Sequence, residues 1–418
     1  MAAGAAGCSP RADRPPHVVC VLVDQLRKDS FDSNAPKLRA LAEGGVVFDS
    51  MRSVAPWTYP SVISMMSGLL PQQHGADGFR TTGKLTNFSL EVPLVHRLLR
   101  AAGWYTAGFV TNPFLREWNP FHVGFDFFAA DFVKNLGNNR MLPNAFSIPE
   151  RMFANSVNEE AKKHFDARPV ENPEFTYIHY IDAHGPWTGA PFTPHYFSAI
   201  HYLDERITEM YEYFRARYDG NVVFLITSDH GRAFRRDVML GSGPEWRKNK
   251  ESLHEFNVRI PFVILPGDGV AAGHVVEAPC ANVDFTPTVL DLAGVTSSVT
   301  LAGQSLVPHI RGDVPADAGA DRGVYLRMSA FGNCCDALVL NRRKYFRFID
   351  CGTGEIAERR VFDLEKDPRE TSPLDEDFGE VDLLIQEASE DQGLSFETSL
   401  EPLSEELEDQ LRALGYVD

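Results

Sequence analysis

The stretch His17-Val-Val-Cys-Val-Leu-Val23, followed at once by Asp24, decides the fold class of this chain. A continuous apolar run of this length is typical of a strand that is buried on both faces of a parallel sheet. Asn221-Val-Val-Phe-Leu-Ile-Thr227 and Pro261-Phe-Val-Ile-Leu265 have the same character, and helical patterns separate the three. This alternation predicts an α/β fold with a large, doubly wound, mostly parallel sheet flanked by helices.

The pattern changes after Gly312. Residues 324–328, 344–349 and 360–364 alternate between apolar and polar, which predicts half-buried strands of a smaller C-terminal antiparallel sheet. The expected division of the chain is a flexible N-terminus (1–15), a catalytic domain (16–312), a small C-terminal α+β subdomain (313–374), and an acidic linker with a last helix (375–418).

Charge is concentrated in the tail of the chain. The net charge is −18, but residues 375–418 hold 15 acidic residues and one basic residue, against 43 acidic and 39 basic residues elsewhere. The body is therefore nearly neutral and has no basic footprint for nucleic acid, so no nucleic-acid partner is expected. The acidic stretch 375–400 is interpreted as loop or linker.

Two further features concern location. No apolar stretch approaches the roughly 20 residues that span a bilayer, and the first 16 residues lack the apolar core of a signal peptide. The six cysteines show no paired spacing, which favours reduced thiols. We therefore expect a cytoplasmic protein without a membrane span.

Polar residues follow two of the buried strands. Asp24 comes directly after the first, and Asp229 and His230 come just after the strand that ends at Thr227. Ligands bind beyond the carboxyl ends of strands in such sheets, so these side chains mark a candidate site. Each of these residues taken alone has a common structural explanation. An aspartate after a strand often belongs to a turn or caps a helix, and Thr58 stands where threonine often caps a helix.

The order of several motifs changes this balance, because together they resemble the sulfatase family of the alkaline-phosphatase superfamily from end to end. The motifs that carry the resemblance are Leu22-Val-Asp24, Ala35 to Phe48, Thr58-Tyr-Pro-Ser-Val62, Ser67-Gly68, Pro71-Gln-Gln-His-Gly75, Ile181-Asp-Ala-His184-Gly-Pro186, Thr227-Ser-Asp-His-Gly231, Lys250-Glu-Ser-Leu-His-Glu255 with Arg259-Ile-Pro261, Val283 to Gly294, Phe362 to Pro368 and Leu411 to Tyr416. Each motif is weak alone, but their order over nearly the whole chain is a strong signal.

The resemblance implies a set of site residues. Asp24, Asp229 and His230 would hold one divalent metal ion, with the nucleophile Thr58 directed at it. Manganese, calcium, zinc and magnesium all remain candidates. Two catalytic residues complete the implied set: His184 and Lys250 would contact the non-bridging oxygens of the substrate or assist the leaving group.

The chain departs from the family pattern at four places. Sulfatases convert a cysteine or serine to formylglycine, and Thr58 cannot follow this route because its β-carbon carries a methyl group. Val62 replaces the signature arginine, and Gln25 replaces the second aspartate of the usual pair. Val110-Thr-Asn-Pro113 stands where the family has a substrate lysine.

These features predict a hydrolase of sulfate or phosphate esters, with phosphate mono- or diesters favoured by the threonine. The substrate would be a small-molecule, glycan-derived or lipid-derived anionic ester. A catalytically inactive, sulfatase-like binding protein is the alternative. A second metal held by Asp182 and His184 is a further alternative, and the oligomeric state stays open.

Overall fold

The fold is taken from a computed structural model, which describes residues 15–80, 84–116, 119–130, 153–184, 192–234, 237, 252–390, 394, 396–402, 404, 405 and 408. The strands are β1 (His17–Val23), β2 (Val46–Phe48), β3 (Met51–Arg52), β4 (Phe79–Arg80), β5 (Lys84–Phe88), β6 (Tyr105–Val110), β7 (Phe127–Ala129), β8 (Glu174–Tyr180), β9 (Val222–Thr227), β10 (Phe262–Ile264), β11 (His274–Val276), β12 (Cys280–Ala281), β13 (Val324–Ala330), β14 (Asn333–Leu340), β15 (Arg343–Ile349), β16 (Ile356–Asp363) and β17 (Thr398–Pro402). The helices are α1 (Lys28–Asn34), α2 (Pro36–Ala42), α3 (Thr58–Ser67), α4 (Pro71–His74), α5 (Val95–Ala101), α6 (Ala154–Asp166), α7 (Phe192–Arg217), α8 (Glu255–Val258), α9 (Phe285–Ala293), α10 (Val307–Arg311) and α11 (Val381–Ser389).

The large sheet has eight strands in the order β11-β2-β10-β9-β1-β8-β6-β7. Strand β10 runs antiparallel to both of its neighbours, and the other pairs are parallel. The expected doubly wound, mostly parallel sheet is confirmed, and β1 lies near its centre.

Strand β1 explains why the sheet is covered on both faces. Val18, Cys20 and Leu22 point into one apolar cluster, and Val19 and Val21 point into the other. Helices α3, α5 and α9 contribute to the first cluster, and α2, α6 and α7 contribute to the second. Alternate side chains of a strand face opposite sides of a sheet, so a run without polar residues fits only between two apolar layers.

The second sheet has seven strands in the order β16-β15-β14-β13-β4-β5-β17. Its meander from β13 to β16 is antiparallel and confirms the expected C-terminal sheet. Strands β4 and β5 come from the first quarter of the chain, so this sheet draws on more than residues 313–374. The boundaries of the four segments stay a proposal.

The expectation of loop or linker over 375–400 is wrong in part. Helix α11 lies in this stretch and buries Ile385, while β17 begins at Thr398 and pairs with β5. The last helix expected at the end of the 375–418 segment, over residues 403–414, falls almost entirely outside the described residues. The helix has several apolar residues, but Ile385 is buried whereas Leu383 and Leu384 are exposed, so the apolar pattern did not mark one buried face.

The prediction of reduced thiols is also wrong for two of the six cysteines. Cys334 and Cys351 form a disulfide between the start of β14 and the turn after β15, whereas Cys20, Cys280 and Cys335 are buried free thiols. The cytoplasmic location stays a prediction.

Across the described ranges, no helix combines the length and the apolar character needed to cross a membrane.

Candidate metal and nucleophile site

The site lies at the carboxyl edge of the central strands. The order β9-β1-β8-β6 places Asp229, Asp24, His184 and Asn112 on consecutive strand ends. Because these four strands are parallel, the residues that follow them emerge at the same edge of the sheet. The strand order therefore brings together side chains that are far apart in sequence.

Asp24, Asp229 and His230 form a cluster among the described residues that could hold a metal ion. One ligand atom from each lies within 4.8 Å of the others, and all three side chains are buried. Oδ1 of Asp24 and Oδ2 of Asp229 are buried and accept no hydrogen bond from the described residues. Buried carboxylate oxygens normally accept a hydrogen bond. Two carboxylate oxygens that accept none, together with one imidazole, are therefore a suitable set of ligands for a divalent cation.

The second oxygen of each carboxylate is held by the protein. Oδ1 of Asp229 accepts from the backbone amides of Gln25 at 3.0 Å and His230 at 2.8 Å. Oδ2 of Asp24 accepts from Nδ2 of Asn112 at 2.6 Å. Burial, followed by the charge of Asp229, raises the pKa of Asp24. A bound cation would oppose both causes, because it stabilises the charged form.

The imidazole of His230 is oriented for ligation. Its Nδ1 lies 2.8 Å from the carbonyl oxygen of Gly231, so Nδ1 carries the proton and donates. Nε2 then has a free electron pair, and it lies 3.5 Å from Oδ2 of Asp229. A backbone bond that fixes the tautomer in this way is a usual feature of metal-binding histidines.

Thr58 is the first residue of α3 and is fully buried. Its Oγ1 lies 3.4 Å from Nε2 of His230. Trp57 before it is extended, and the helix ends at Gly68, which has the left-handed conformation common at helix ends. The free amides and the dipole of a helix start favour an anion at this point.

Helix α3 is tied directly to the metal-ligand segment. Oγ of Ser61 donates to the carbonyl oxygen of Asp229 at 2.5 Å, and Nδ2 of Asn282 donates to the carbonyl oxygen of Ser61 at 3.0 Å. Both serine and asparagine are buried, so these bonds are shielded from water. They fix the distance between the start of the helix and the cluster.

The residues that depart from the family pattern have distinct surroundings. Val62 is buried in the apolar cluster, so its side chain brings no charge to the site. Gln25 has a positive φ of 60°, which is uncommon outside glycine, and its Oε1 accepts from Arg232 at 2.5 Å. Arg232 is thus a cation beside the site that the sequence alone did not indicate.

The two other predicted catalytic residues, His184 and Lys250, differ in what the structure shows of them. His184 is buried in the loop after β8, where its backbone amide donates to Ile181. Lys250 lies outside the described residues. Asp182 is not part of the cluster, because its Oδ1 accepts from the amide of Ala154 at the start of α6. The described residues thus give no support to a second metal at Asp182 and His184.

Three residues around Asp24 escaped the sequence analysis as parts of the site. They are Asn112, His179 and Tyr177, and each is buried. His179 lies inside β8, and only the pairing of β1 with β8 brings it to Asp24. No local pattern marks such partners, since they depend on strand order.

The fold is that of an α/β hydrolase of the alkaline-phosphatase-like superfamily, and the cluster lies where its candidate site is expected. The model of the Sulfatase family matches residues 16–295, and that of the C-terminal region of N-sulphoglucosamine sulphohydrolase matches residues 245–391. The chain therefore belongs to the sulfatase family, and it is an ester hydrolase. Enzymes of this family use a divalent metal ion.

Among individual proteins, the choline-sulfatase of Rhizobium meliloti (strain 1021) is 25% identical over 448 aligned positions, which cover 86% of this chain and 82% of that protein. Arylsulfatase K of Danio rerio is 32% identical over 39% of this chain and 29% of its own length. The phosphonate monoester hydrolase of Agrobacterium radiobacter has a similar fold, with a TM-score of 0.68, 16% identity and coverage of 89% of this chain and 94% of that one.

Proposed function

We propose that this chain is a metal-dependent hydrolase of anionic esters that uses Thr58 as its nucleophile, with phosphate mono- or diesters favoured over sulfate esters. The observation that carries the proposal is the position of Oγ1 of Thr58, at the first turn of α3 and 3.4 Å from Nε2 of His230. A hydroxyl in this position can be activated and can meet an anionic ester at the same time.

One divalent ion would be held by Asp24, Asp229 and His230, with Thr58 beside it. The ligands would be two carboxylates and one imidazole. This mixed set favours manganese or zinc more than a set made only of oxygen ligands would. When bound, the ion supplies the positive charge that lowers the pKa of the hydroxyl and stabilises negative charge on the ester.

The protein residues carry the two halves of the reaction. Oγ1 of Thr58 loses its proton to solvent on activation and attacks the phosphorus atom, so an Oγ1–P bond forms and the bond from phosphorus to the leaving oxygen breaks. A proton reaches the leaving oxygen from His184 or Lys250, which also oppose charge on the non-bridging oxygens. Water then attacks the phosphothreonine and gives one proton to the residue that protonated the leaving oxygen. A bond from phosphorus to the water oxygen forms, the P–Oγ1 bond breaks, and a proton from solvent restores the hydroxyl of Thr58.

The threonine is also the reason to favour phosphate over sulfate. Sulfatases with formylglycine carry an aldehyde-derived group at this position, and Thr58 has a methyl group in the place where that oxidation would occur. A sulfothreonine would therefore have to be cleaved without a second hydroxyl on the same carbon. The names of the curated relatives point to sulfate esters, whereas one similar fold is that of a phosphonate monoester hydrolase.

The substrate class is an anionic ester of a small molecule, a glycan or a lipid headgroup. Similar folds include a protein solved with D-glucosamine-2-N,6-O-disulfate and another solved with a neocarrahexaose. They make sulfated sugars a reasonable addition to any substrate panel.

The experiment pairs metal content with turnover. The purified chain is analysed for bound metal and assayed on p-nitrophenyl phosphate, bis-p-nitrophenyl phosphate, a phenylphosphonate ester and p-nitrophenyl sulfate. Thr58→Val keeps the shape of the side chain without the hydroxyl, and Thr58→Ser keeps the hydroxyl. We expect metal-dependent turnover of a phosphorus ester, a loss of at least about 10³-fold in Thr58→Val, and measurable activity in Thr58→Ser.

Each other outcome has a clear meaning. Turnover of the sulfate ester alone would overturn the preference for phosphate. Full activity in Thr58→Val would remove the nucleophile role. A chain that binds no metal and cleaves none of these esters would favour the inactive binding protein instead.

A further inference from the structure

Asn112 occupies the strand end where the family pattern has a substrate lysine, and it contacts a metal ligand instead. Its Nδ2 donates to Oδ2 of Asp24 at 2.6 Å, and both residues are fully buried. Asn112 follows β6 and Asp24 follows β1, with β8 between them, so this bond spans the edge of three strands.

The orientation of the Asn112 amide is fixed by its other end. Its Oδ1 accepts from the backbone N–H of Phe114 at 2.8 Å, at the start of a short 3₁₀ turn, Pro113–Leu115. Because a backbone N–H can only donate, the oxygen must face Phe114 and the NH₂ group must face Asp24. The turn therefore sets the position of the donor.

A second polar group faces the same oxygen of Asp24. Nε2 of His179 lies 3.4 Å from Oδ2, and Nδ1 of His179 lies 3.0 Å from the hydroxyl of Tyr177. All three side chains are buried. Protein groups thus gather on Oδ2, whereas Oδ1 accepts no hydrogen bond within the described part of the chain.

We propose that Asn112 is a positioning residue of the metal centre, which holds Asp24 by Oδ2 so that Oδ1 is presented to the cation. This inference rests on the proposed function, because it requires a metal at Asp24. A neutral amide suits the role, since it orients the carboxylate and leaves its full charge for the metal. A hydrogen bond to the second oxygen of a ligating carboxylate is a common support of metal sites.

The chain offers a matched control in Asn119. Its Oδ1 caps the next 3₁₀ turn by accepting from Phe121 at 2.9 Å, and its Nδ2 donates at 2.6 Å to the carbonyl oxygen of Phe114. Asn119 therefore has the same capping geometry as Asn112, but its donor meets backbone instead of a metal ligand. Serine at either position keeps an acceptor for the turn and is too short to retain the second bond.

The experiment measures metal affinity, with no need for turnover. Full-length wild type, Asn112→Ser and Asn119→Ser are stripped with a chelator and titrated calorimetrically with Mn²⁺ and with Zn²⁺. Unfolding midpoints are recorded without metal. We expect Asn112→Ser to weaken binding 10- to 100-fold and Asn119→Ser to change it less than about 3-fold, with similar losses in metal-free midpoint.

The outcomes separate this inference from the proposed function. Equal affinities in wild type and Asn112→Ser would overturn the role of Asn112 alone. A wild type that binds neither ion would overturn the metal site itself. If Asn112→Ser does not fold, Asn112→Thr takes its place, because threonine retains the hydroxyl cap and more side-chain volume. The same loss of metal affinity is expected for Asn112→Thr. An unchanged metal affinity in Asn112→Thr would also overturn the inference.

Discussion

The ring of Phe331 packs edge-on against the indole of Trp57, with their centroids 5.3 Å apart at an interplanar angle of 72°. Trp57 directly precedes the nucleophile candidate, whereas Phe331 lies in the second sheet. Phe331 and Gly332 form the two-residue turn between β13 and β14, and both have positive φ, 54° and 75°. Such turns favour asparagine or glycine, so the phenylalanine is held at a conformational cost.

Replacing Phe331 tests whether this contact supports the site. Phe331→Asn relieves about 1–2 kcal/mol in the turn and removes a ring contact that contributes a similar amount, so the free energy of unfolding should change by less than about 2 kcal/mol. Activity should fall about tenfold, because Trp57, which precedes Thr58, loses one of the three described aromatic rings that contact it. Urea unfolding and kcat/KM check the two effects, and Phe331→Tyr, which keeps the ring, should match wild type. Unchanged activity in Phe331→Asn would show that the contact serves folding alone.

Asp229→Asn should separate stability from metal binding. The substitution removes one charge from a buried pair of carboxylates and keeps an Oδ1 acceptor for the amides of Gln25 and His230. The metal-free variant should therefore unfold at a higher temperature than metal-free wild type. Metal at about 100 times its dissociation constant should stabilise wild type by about 2.7 kcal/mol and the variant by much less.

Differential scanning calorimetry with and without metal measures both effects. Asp237→Asn serves as the control, since Asp237 pairs with Arg27 and does not belong to the cluster. A metal-induced shift of equal size in Asp229→Asn and wild type would exclude Asp229 as a ligand.

Ionisation of Asp182 should make the free energy of unfolding depend on pH. Burial raises the pKa of this carboxyl from 3.8 to about 7, and its Oδ2 accepts no hydrogen bond from the described residues. The folded chain then keeps the proton to a higher pH than the unfolded chain does. This contribution to stability is complete below about pH 4, falls as the pH rises to about 7, and stays constant above that.

Asp182→Asn should abolish this slope. Asparagine is neutral and can still accept from Ala154, so the variant should be more stable than wild type at pH 8, by at most about 4 kcal/mol, and similar at pH 4. Urea titrations between pH 4 and pH 8 measure the difference. Asp204→Asn is the contrasting control: both oxygens of Asp204 accept from amides of α2, so stability should fall. A lower stability of Asp182→Asn at pH 8 would contradict the prediction.

The disulfide should contribute measurably to stability. Cys334 and Cys351 are 17 residues apart, and closing a loop of this size stabilises a folded chain by about 3 kcal/mol. Cys351→Ala should lower the free energy of unfolding by about that amount, and a reductant should have no further effect on the variant. Cys335→Ala, which alters a free thiol, should keep its sensitivity to reductant. Peptide mapping without reduction should find the two cysteines cross-linked; their absence as a pair would refute the bond.

The sequence was sufficient for the parts of the fold that follow from local patterns. The apolar run of β1 predicted a two-faced strand, and the positions of Asp24 and Asp229 after their strands predicted the edge at which they meet. The bond from Asn112 to Asp24 could not be predicted, because it depends on the order of β1, β8 and β6. The pairing of Cys334 with Cys351 depends on the register of the β14–β15 hairpin, which sets Cys334 opposite Ile349 and which cysteine spacing does not reveal.

The pairing of β5 with β17 has a consequence for how the protein is made. Strand β5 (Lys84–Phe88) forms backbone hydrogen bonds along one edge with β17 (Thr398–Pro402), which lies near the opposite end of the chain. At ordinary translation speeds the second partner is synthesised roughly half a minute after the first. During that interval the ribosome carries a nascent chain with an open strand edge, and open edges invite pairing with other chains. Chaperone occupancy during synthesis, more than the stability of the finished protein, would then determine how much of it is recovered from a cell.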